Sequence, residues 1–377
     1  MKRICIFSAQ YFPHLGGVEN YTYHLAKYLL QKGEKVVIVT SNVQRLPAYE
    51  QIEGAEVYRL PCINLLDGRY PVLKFNREFF RIHHRLMRSH FDLVLVNTRF
   101  YLHSVYGAVF ARKQKTKCVM IDHGTSHLSV HNPFWDTVGG WVEHLITKVD
   151  QIFCRDFYGV SQASTQWLRH FHIKAKGVLY NAVDLEKIET VKKSPLRDFR
   201  KEYEIPADGI VISFTGRLLK EKGIWQLIDA VKNIRKVRKD VYLLIAGEGD
   251  EEAEIREKRD EGIFLLGRLP FEEVIGLLMQ SDLFCLPSDS EGFSTSVLEA
   301  AACRCFVITT ENGGSKELIS GSRYGKLIPD NRRETVEKAL MENLDNREYR
   351  ERAAKNAYQK LARNFTWDIV SEKVRNL

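Results

Sequence analysis

Apolar residues fall into short unbroken runs, separated by longer stretches in which they recur every three or four positions. In the first half the runs are RICIFS, KVVIVTS, EVYRLP, FDLVLVN, CVMID and QIFC, with the helical pattern VENYTYHLAKYLLQKG between the first two. Runs that are apolar throughout mark strands covered on both faces, which implies parallel pairing with helices on either side. The predicted fold class is therefore α/β, doubly wound. After residue 209 the pattern restarts, with strands GIVISFTG, VYLLIAG, IFLLG, DLFCLPS, FVITT and GKLIP and helices WQLIDAVKNIRKV, EEVIGLLMQ and SVLEAAA between them. Between the halves, residues 181–208 are polar, lose the strand pattern and carry Pro195 and Pro206, so they read as a hinge. A chain of 377 residues exceeds what one core usually organises. The expected division is a first domain over 1–180, the hinge over 181–208, a second domain over 209–360 and a C-terminal helix over 361–377 that returns to the first domain. Two such domains facing each other would form a cleft at the carboxyl ends of both sheets, so the residues that matter should follow strands.

Composition narrows the class without naming an activity. Apolar content of 44% and charged content of 28% are ordinary for a folded globular chain. The basic residues at the start lead into a short strand-like run, not a signal peptide, and no window reaches the ~18 apolar residues a membrane span needs. Seven cysteines, an odd number with no C-x-x-C pair, fit reduced thiols and a cytoplasmic location. Charge is uneven: residues 1–180 hold 23 Lys and Arg against 13 Asp and Glu, while the remainder is slightly acidic. No nucleic-acid motif accompanies this, and no nucleic-acid partner is expected.

Candidate chemistry follows strand ends. After RICIFS, Gly16 and Gly17 let backbone approach a ligand, and the helix that opens there, with Glu19 in its first turn, presents an amino end that favours an anion; the plain alternative is a turn before a helix. No G-x-G-x-x-G is present, which weakens a dinucleotide oxidoreductase. After VISFT, Arg217 and Lys222 flank a turn and suit a diphosphate, or else form a solvated basic loop. After CVMID comes His123, a polar contact for substrate or a satisfied buried histidine. His123, His127 and His131 share a helical spacing, but no acidic or cysteine ligand stands at suitable spacing and Gly124 interrupts them, so zinc is not expected. In DSEGFSTSVLEA, Ser296 and Glu299 match a capping box, which would give Glu299 a purely local role. Alternatively, the eight-residue step from Glu291 to Glu299 brings both carboxylates to one side of a helix's amino end, where they can hold ribose or sugar hydroxyls. The Gly292-Phe293-Ser294 backbone between them can offer N–H groups to phosphate or sugar oxygens.

SDSEGFSTSVLEA resembles the E-x7-E signature of retaining glycosyltransferases of the GT-B fold, specifically family 4. YFPHLGGVEN, YNAVD, GRLLKEKG, IAGEGD, FLLGRL, TTENGGSKELI and YGKLIPD extend the likeness along nearly the whole chain. The resemblance implies two Rossmann-like domains. It gives Glu299 the nucleotide ribose, Glu291 the donor sugar, Arg217 and Lys222 the departing diphosphate, and His123 a place near the donor sugar. Gly267, Arg268 and Leu269 would border the base, and Gly16 and Gly17 would lie against diphosphate and acceptor. Ser294 and Ser296 depart from the family's G-F-G-x-P, which bears on the donor sugar's identity. The activity implied is retaining hexosyl transfer from a nucleotide-diphosphate sugar, UDP-linked, to a lipid-linked or polysaccharide-precursor acceptor in cell-envelope synthesis. The diphosphate itself would accept the acceptor's proton. No D-x-D occurs, and two cations can meet the leaving group's charge, so neither metal nor cofactor is expected. Alternatives are a GT-B nucleotide-sugar epimerase or phosphorylase, or a non-catalytic nucleotide-sugar-binding protein. Finally, Arg69 to Phe91 reads as a basic, aromatic helix, which predicts peripheral attachment to an anionic membrane surface on the cytoplasmic side, the alternative being an ordinary helix with its aromatic side in the core.

Overall fold

A computed structural model describes residues 1–14, 16–65, 68, 70–127 and 133–377, with side chains beyond the last gap from residue 136 onward. It divides into two compact units, Met1–Asn181 with Trp367–Leu377, and Ala182–Thr366.

The first unit contains strands β1 (Arg3–Ser8), β2 (Lys35–Ser41), β3 (Tyr49–Ile52), β4 (Ala55–Leu60), β5 (Cys62–Leu65), β6 (Tyr70–Leu73), β7 (Leu93–Asn97), β8 (Lys117–Asp122), β9 (Asp156–Gly159) and β10 (Gly177–Val178). Its helices are α1 (Gly17–Gln31), α2 (Arg77–Met87), α3 (Leu102–Gln114), α4 (Pro133–Phe153) and α5 (Gln162–Leu168). Eight strands form one sheet in the order β10-β9-β8-β7-β1-β2-β4-β3, parallel except for β3, and β5 and β6 form a separate hairpin. Strand order reverses between β7 and β1, which sets the crevice of a doubly wound sheet beyond their carboxyl ends. The core is aliphatic and aromatic, with Phe7, Val37, Val39, Val94, Val96, Phe110 and Met120 almost wholly buried.

The second unit contains β11 (Ile210–Thr215), β12 (Val241–Ala246), β13 (Ile263–Gly267), β14 (Leu283–Leu286), β15 (Phe306–Thr310) and β16 (Lys326–Ile328). With them come α6 (Leu185–Val191), α7 (Phe199–Glu202), α8 (Ile224–Arg235), α9 (Glu252–Lys258), α10 (Phe271–Gln280), α11 (Thr295–Ala302), α12 (Ser315–Leu318), α13 (Arg333–Leu344) and α14 (Arg347–Asn364). Its sheet, β13-β12-β11-β14-β15-β16, is parallel throughout and reverses order between β11 and β14. A last helix, α15 (Trp367–Arg375), belongs to the first unit, where Trp367 is buried edge-on to Tyr21 and stacked on His24.

Three expectations change. QIFC is not a strand: Gln151–Phe153 is the last turn of the 21-residue α4, closed by the Cys154 amide on the Asp150 carbonyl, and the strand is the less apolar DFYG that follows. A four-residue apolar run is equally compatible with the buried end of a helix. The basic helix is shorter than 69–91: Tyr70–Leu73 is a strand, Asn76 caps the amide of Phe79, and only Arg77–Met87 is helical; Arg69 lies outside the described residues. The hinge segment carries α6 and α7, and Phe199 and Ile205 enter a core cluster of the second unit with Val211, Leu244 and Leu277. The chain passes between the units after Asn181 and again after Thr366.

Candidate active site

In the second unit the loops after β11, β14 and β15 converge at the sheet's reversal point. The turn after β11 carries Arg217, which is exposed, and Lys222, which is half-buried. Lys222 Nζ donates to Glu291 Oε1 at 2.6 Å. Both side chains are mostly covered, so the pair is screened less than a surface ion pair. Glycines permit this closeness. Gly313, in the loop after β15, has φ +68°, and a Cβ there would stand 1.7 Å from the Glu291 carbonyl oxygen. Gly223 has φ +70° and a Cβ on it would meet the Pro287 carbonyl at 2.1 Å. The Gly314 amide donates to the Gly292 carbonyl at 3.0 Å, and Asp289 donates its amide to the Glu221 carbonyl at 2.8 Å, so the segment bearing Glu291 is tied on both sides.

Glu299 lies in the second turn of α11. The helix begins at Thr295 with Ser294 as its cap residue and no side-chain cap bond, so Ser296 is inside the helix and the capping-box account of Glu299 does not hold. Glu299 is half-buried, and desolvation pushes its carboxyl up to about 7. Phe293 and Ser294 are buried, with Phe293 edge-on to Phe365 at 5.2 Å. A Cβ on Gly216 would lie 4.0 Å from Ser296 Oγ, which sets the turn carrying Arg217 beside the amino end of α11. Gly267 ends β13 with φ +70° and open space at its Cβ. Arg268 pairs with Glu248 at 3.0 Å, and Leu269 packs against the cluster around Phe199. Arg217, Lys222, Glu291, Gly292 and Ser296 thus share one end of the sheet, with one cation, Lys222, already in contact with a carboxylate.

In the first unit, β1, β7 and β8 end together. Asn97 Nδ2 donates to Thr22 Oγ1 at 2.7 Å, and its Oδ1 faces His123 Nε2 at 3.1 Å. The imidazole therefore keeps its proton on Nε2 and leaves Nδ1 as an acceptor. Burial lowers His123 to about 3, so it is neutral, and Tyr21 stands edge-on to it at 4.8 Å. A neutral acceptor at a strand's end suits a hydroxyl donor. Gly16 caps α1, and a Cβ there would fall 2.3 Å from Glu19 Oε2. The anion at this helix's amino end is the chain's own Glu19, buried and 3.5 Å from His14 Nδ1, whereas Gly17 faces open space.

Residues with no place in the sequence reading also stand out. Asn97 orients His123. Arg99, 1% exposed, joins Asp122, whose carboxyl burial raises to about 6, to Glu143. His127 lies against His170 and His144; His131 lies outside the described residues.

Two largely parallel sheets, each wound on both faces, with their polar loops at the strands' carboxyl ends, define a doubly wound α/β architecture. The family model for glycosyl transferases group 1 matches residues 197–360, and that for glycosyltransferase family 4 matches residues 15–187. The chain is 26% identical over 383 residues to an uncharacterised glycosyltransferase of Methanocaldococcus jannaschii, covering 97% of this chain and 95% of the relative. It is 24% identical to a human phosphatidylinositol N-acetylglucosaminyltransferase chain, covering 99% and 75%. Among solved structures, Anabaena HepE in complex with UDP superposes with a TM-score of 0.75 at 17% identity over 100% and 99% of the two chains. WaaG, a glycosyltransferase of lipopolysaccharide biosynthesis, gives 0.69 at 16% over 99% and 98%. The protein belongs to these glycosyltransferases and has the GT-B fold.

Proposed function

We propose that the protein moves a hexosyl group from a UDP-linked donor to a lipid-linked acceptor, with retention at the anomeric carbon. The observation that carries the reading is the mostly covered Lys222–Glu291 pair at the β11/β14 reversal. Cleaving a sugar–diphosphate bond builds negative charge on the leaving phosphate and positive character on the ring, and fixed cations beside a carboxylate meet both. In this reading Arg217 and Lys222 take the diphosphate, Glu291 the sugar hydroxyls and Glu299 the ribose. Gly292, Phe293 and Ser294 line the donor, and Gly267, Arg268 and Leu269 border the base. In the first unit His123 Nδ1 accepts from a sugar hydroxyl, and the loop of Gly16, Gly17 and Glu19 serves the diphosphate and acceptor. No nucleophilic carboxylate is assigned, and the diphosphate takes the acceptor's proton.

The acceptor class is supported by relatives named as phosphatidylinositol N-acetylglucosaminyltransferases and by apolar surface in the first unit. No helix of the described residues is long and apolar enough to cross a membrane. Yet Val138, Trp141, Val142 and Leu145 form an exposed stripe on α4, with Trp141 78% exposed. On α2, exposed Arg77 and Arg81 accompany exposed Phe80, with Phe75 just before the helix, while Phe79, Ile82 and Leu86 are buried. Such faces suit peripheral attachment to the anionic inner surface of a membrane.

The test is UDP release from UDP-N-acetylglucosamine and UDP-glucose, with GDP and TDP sugars alongside, on phosphatidylinositol and polyprenyl-diphosphate acceptors. NMR then assigns the product's anomeric configuration. Acceptor-dependent UDP release with a retained anomer is expected. Inversion, turnover without acceptor, or turnover requiring free phosphate would overturn the reading.

A further inference from the structure

We propose that His127, His144 and His170 bind one divalent transition-metal ion, zinc by the nature of the ligands, at a site in the first unit separate from the transfer chemistry. The three come from different elements: His127 from the loop after β8, His144 from α4, and His170 from the short turn after α5. His170 Nε2 lies 3.2 Å from both His127 Nε2 and His144 Nε2, and one nitrogen from each ring lies within 4.8 Å of the others. Zinc–imidazole bonds of 2.0–2.1 Å at tetrahedral angles place ligand nitrogens roughly 3.3 Å apart, so two edges of the coordination tetrahedron are already formed. The third closes with a small rotation of an accessible ring.

A carboxylate behind the cluster sets the tautomer. Glu143 Oε2 accepts from His127 Nδ1 at 2.7 Å, while its Oε1 accepts from the buried Arg99 at 2.7 Å. His127 therefore carries its proton on Nδ1 and turns the Nε2 lone pair toward the other two rings, the arrangement by which carboxylates orient ligating histidines. With the His127 Nε2 lone pair facing His170 Nε2, no neutral tautomer of His144 and His170 makes a full hydrogen bond at both contacts; an ion satisfies all three nitrogens. Trp167 stacks flat on His170 at 4.8 Å, and Phe171 lies 4.6 Å from the His144 ring, giving the site an aromatic floor. His170 is exposed and the other two are half-buried, so the fourth position opens to water. Three neutral imidazoles select zinc, cobalt, nickel or copper over magnesium and calcium.

The ion would clip the loop after β8 to α4 and to the end of α5. That loop begins with His123, four residues before His127, so the site steadies a residue of the transfer machinery without touching substrate. The sequence signal was faint because the three histidines are 17 and 26 positions apart.

The experiment uses the full chain, free of any polyhistidine tag and stripped with a chelator. Titration calorimetry with zinc chloride should give one ion per chain at micromolar affinity or better, cobalt should give the visible absorption of a tetrahedral site, and zinc should raise the Tm. His144→Ala and His170→Ala should each abolish the cobalt spectrum, and Glu143→Gln should weaken zinc about 10–100-fold. His90→Ala, at an exposed histidine elsewhere in the unit, should change nothing. Absence of stoichiometric zinc binding, or binding that survives the His144→Ala/His170→Ala double variant, would overturn the proposal. The readouts are independent of turnover, so they stand whether or not the donor and acceptor assignments do.

Discussion

Replacing Glu299 by Gln tests the electrostatics of the donor site directly. Burial moves this carboxyl from 4.5 to about 7, which corresponds to at most roughly 3 kcal/mol of disfavour toward the ionised form; because part of the residue is open to solvent, about 1–3 kcal/mol is the expected range. The folded state holds its proton more tightly than the unfolded chain. This group's penalty is therefore absent below about pH 4.5, grows as pH rises, and is complete above pH 7. Glu299→Gln should match the parent's stability near pH 4.5 and exceed it by that margin at pH 8, read as a Tm gain of several degrees. Binding should run the other way. In the proposed reading a ribose diol donates to this carboxylate, so UDP would require Glu299 ionised, and its affinity should fall roughly 30-fold from pH 8 to pH 5.5 through this group alone. Calorimetry of Glu299→Gln supplies the diphosphate's own titration for subtraction. A stability gap that is the same at both pH values, or a UDP pH profile that the variant shares, would refute the reasoning.

Other outcomes follow from the same geometry. Glu291→Gln and Lys222→Met should each lower kcat at least 100-fold, and because the two touch, their double variant should lose far less than the product; strictly multiplicative losses would mean that the 2.6 Å pair does not act as a unit. Gly313→Ala combines a left-handed backbone with a Cβ placed against the Glu291 carbonyl, and should cost about 1–3 kcal/mol in melting experiments while depressing kcat more than KM. Trp367→Ala removes a wholly buried ring from α1 and should cost about 3–5 kcal/mol, with hydrogen exchange rising along α1 and α15 while the second unit's strands keep their protection.

Much of the architecture could be read from residue pattern because parallel strands are apolar on both faces. KVVIVTS and VYLLIAG admit few other readings, and both lie in the sheets. The pattern failed where burial was partial or local geometry decided. The edge strand YEQI alternates weakly and gains its place by antiparallel pairing with β4. QIFC is as apolar as a strand yet finishes a helix. Residues 181–208 look like linker because their apolar anchors, Phe199 and Ile205, are widely spaced. In the candidate site, residue types were visible but contacts were not. Glu291 and Lys222 are 69 positions apart, and only strand order brings them together. Gly313 stands in TTENGGSKELI, but its meaning, passage of one backbone beneath another, appears only with its φ. Ser296 and Glu299 matched a local cap that helix α11 does not use, since its start two residues earlier moves Ser296 into the first turn.

The path of the backbone has a consequence for biosynthesis. Residues 182–366 form one body, while residues 367–377 supply Trp367 and α15 to the other. The two crossings run side by side, Val183 bridging to Thr366. On the ribosome, the half that is translated first must therefore wait with the α1 surface uncovered until all of the later half has emerged. A fragment ending at residue 181 would keep that uncovered patch permanently, so truncated products should aggregate or be degraded, whereas a cut at a single crossing would leave the halves joined by the other.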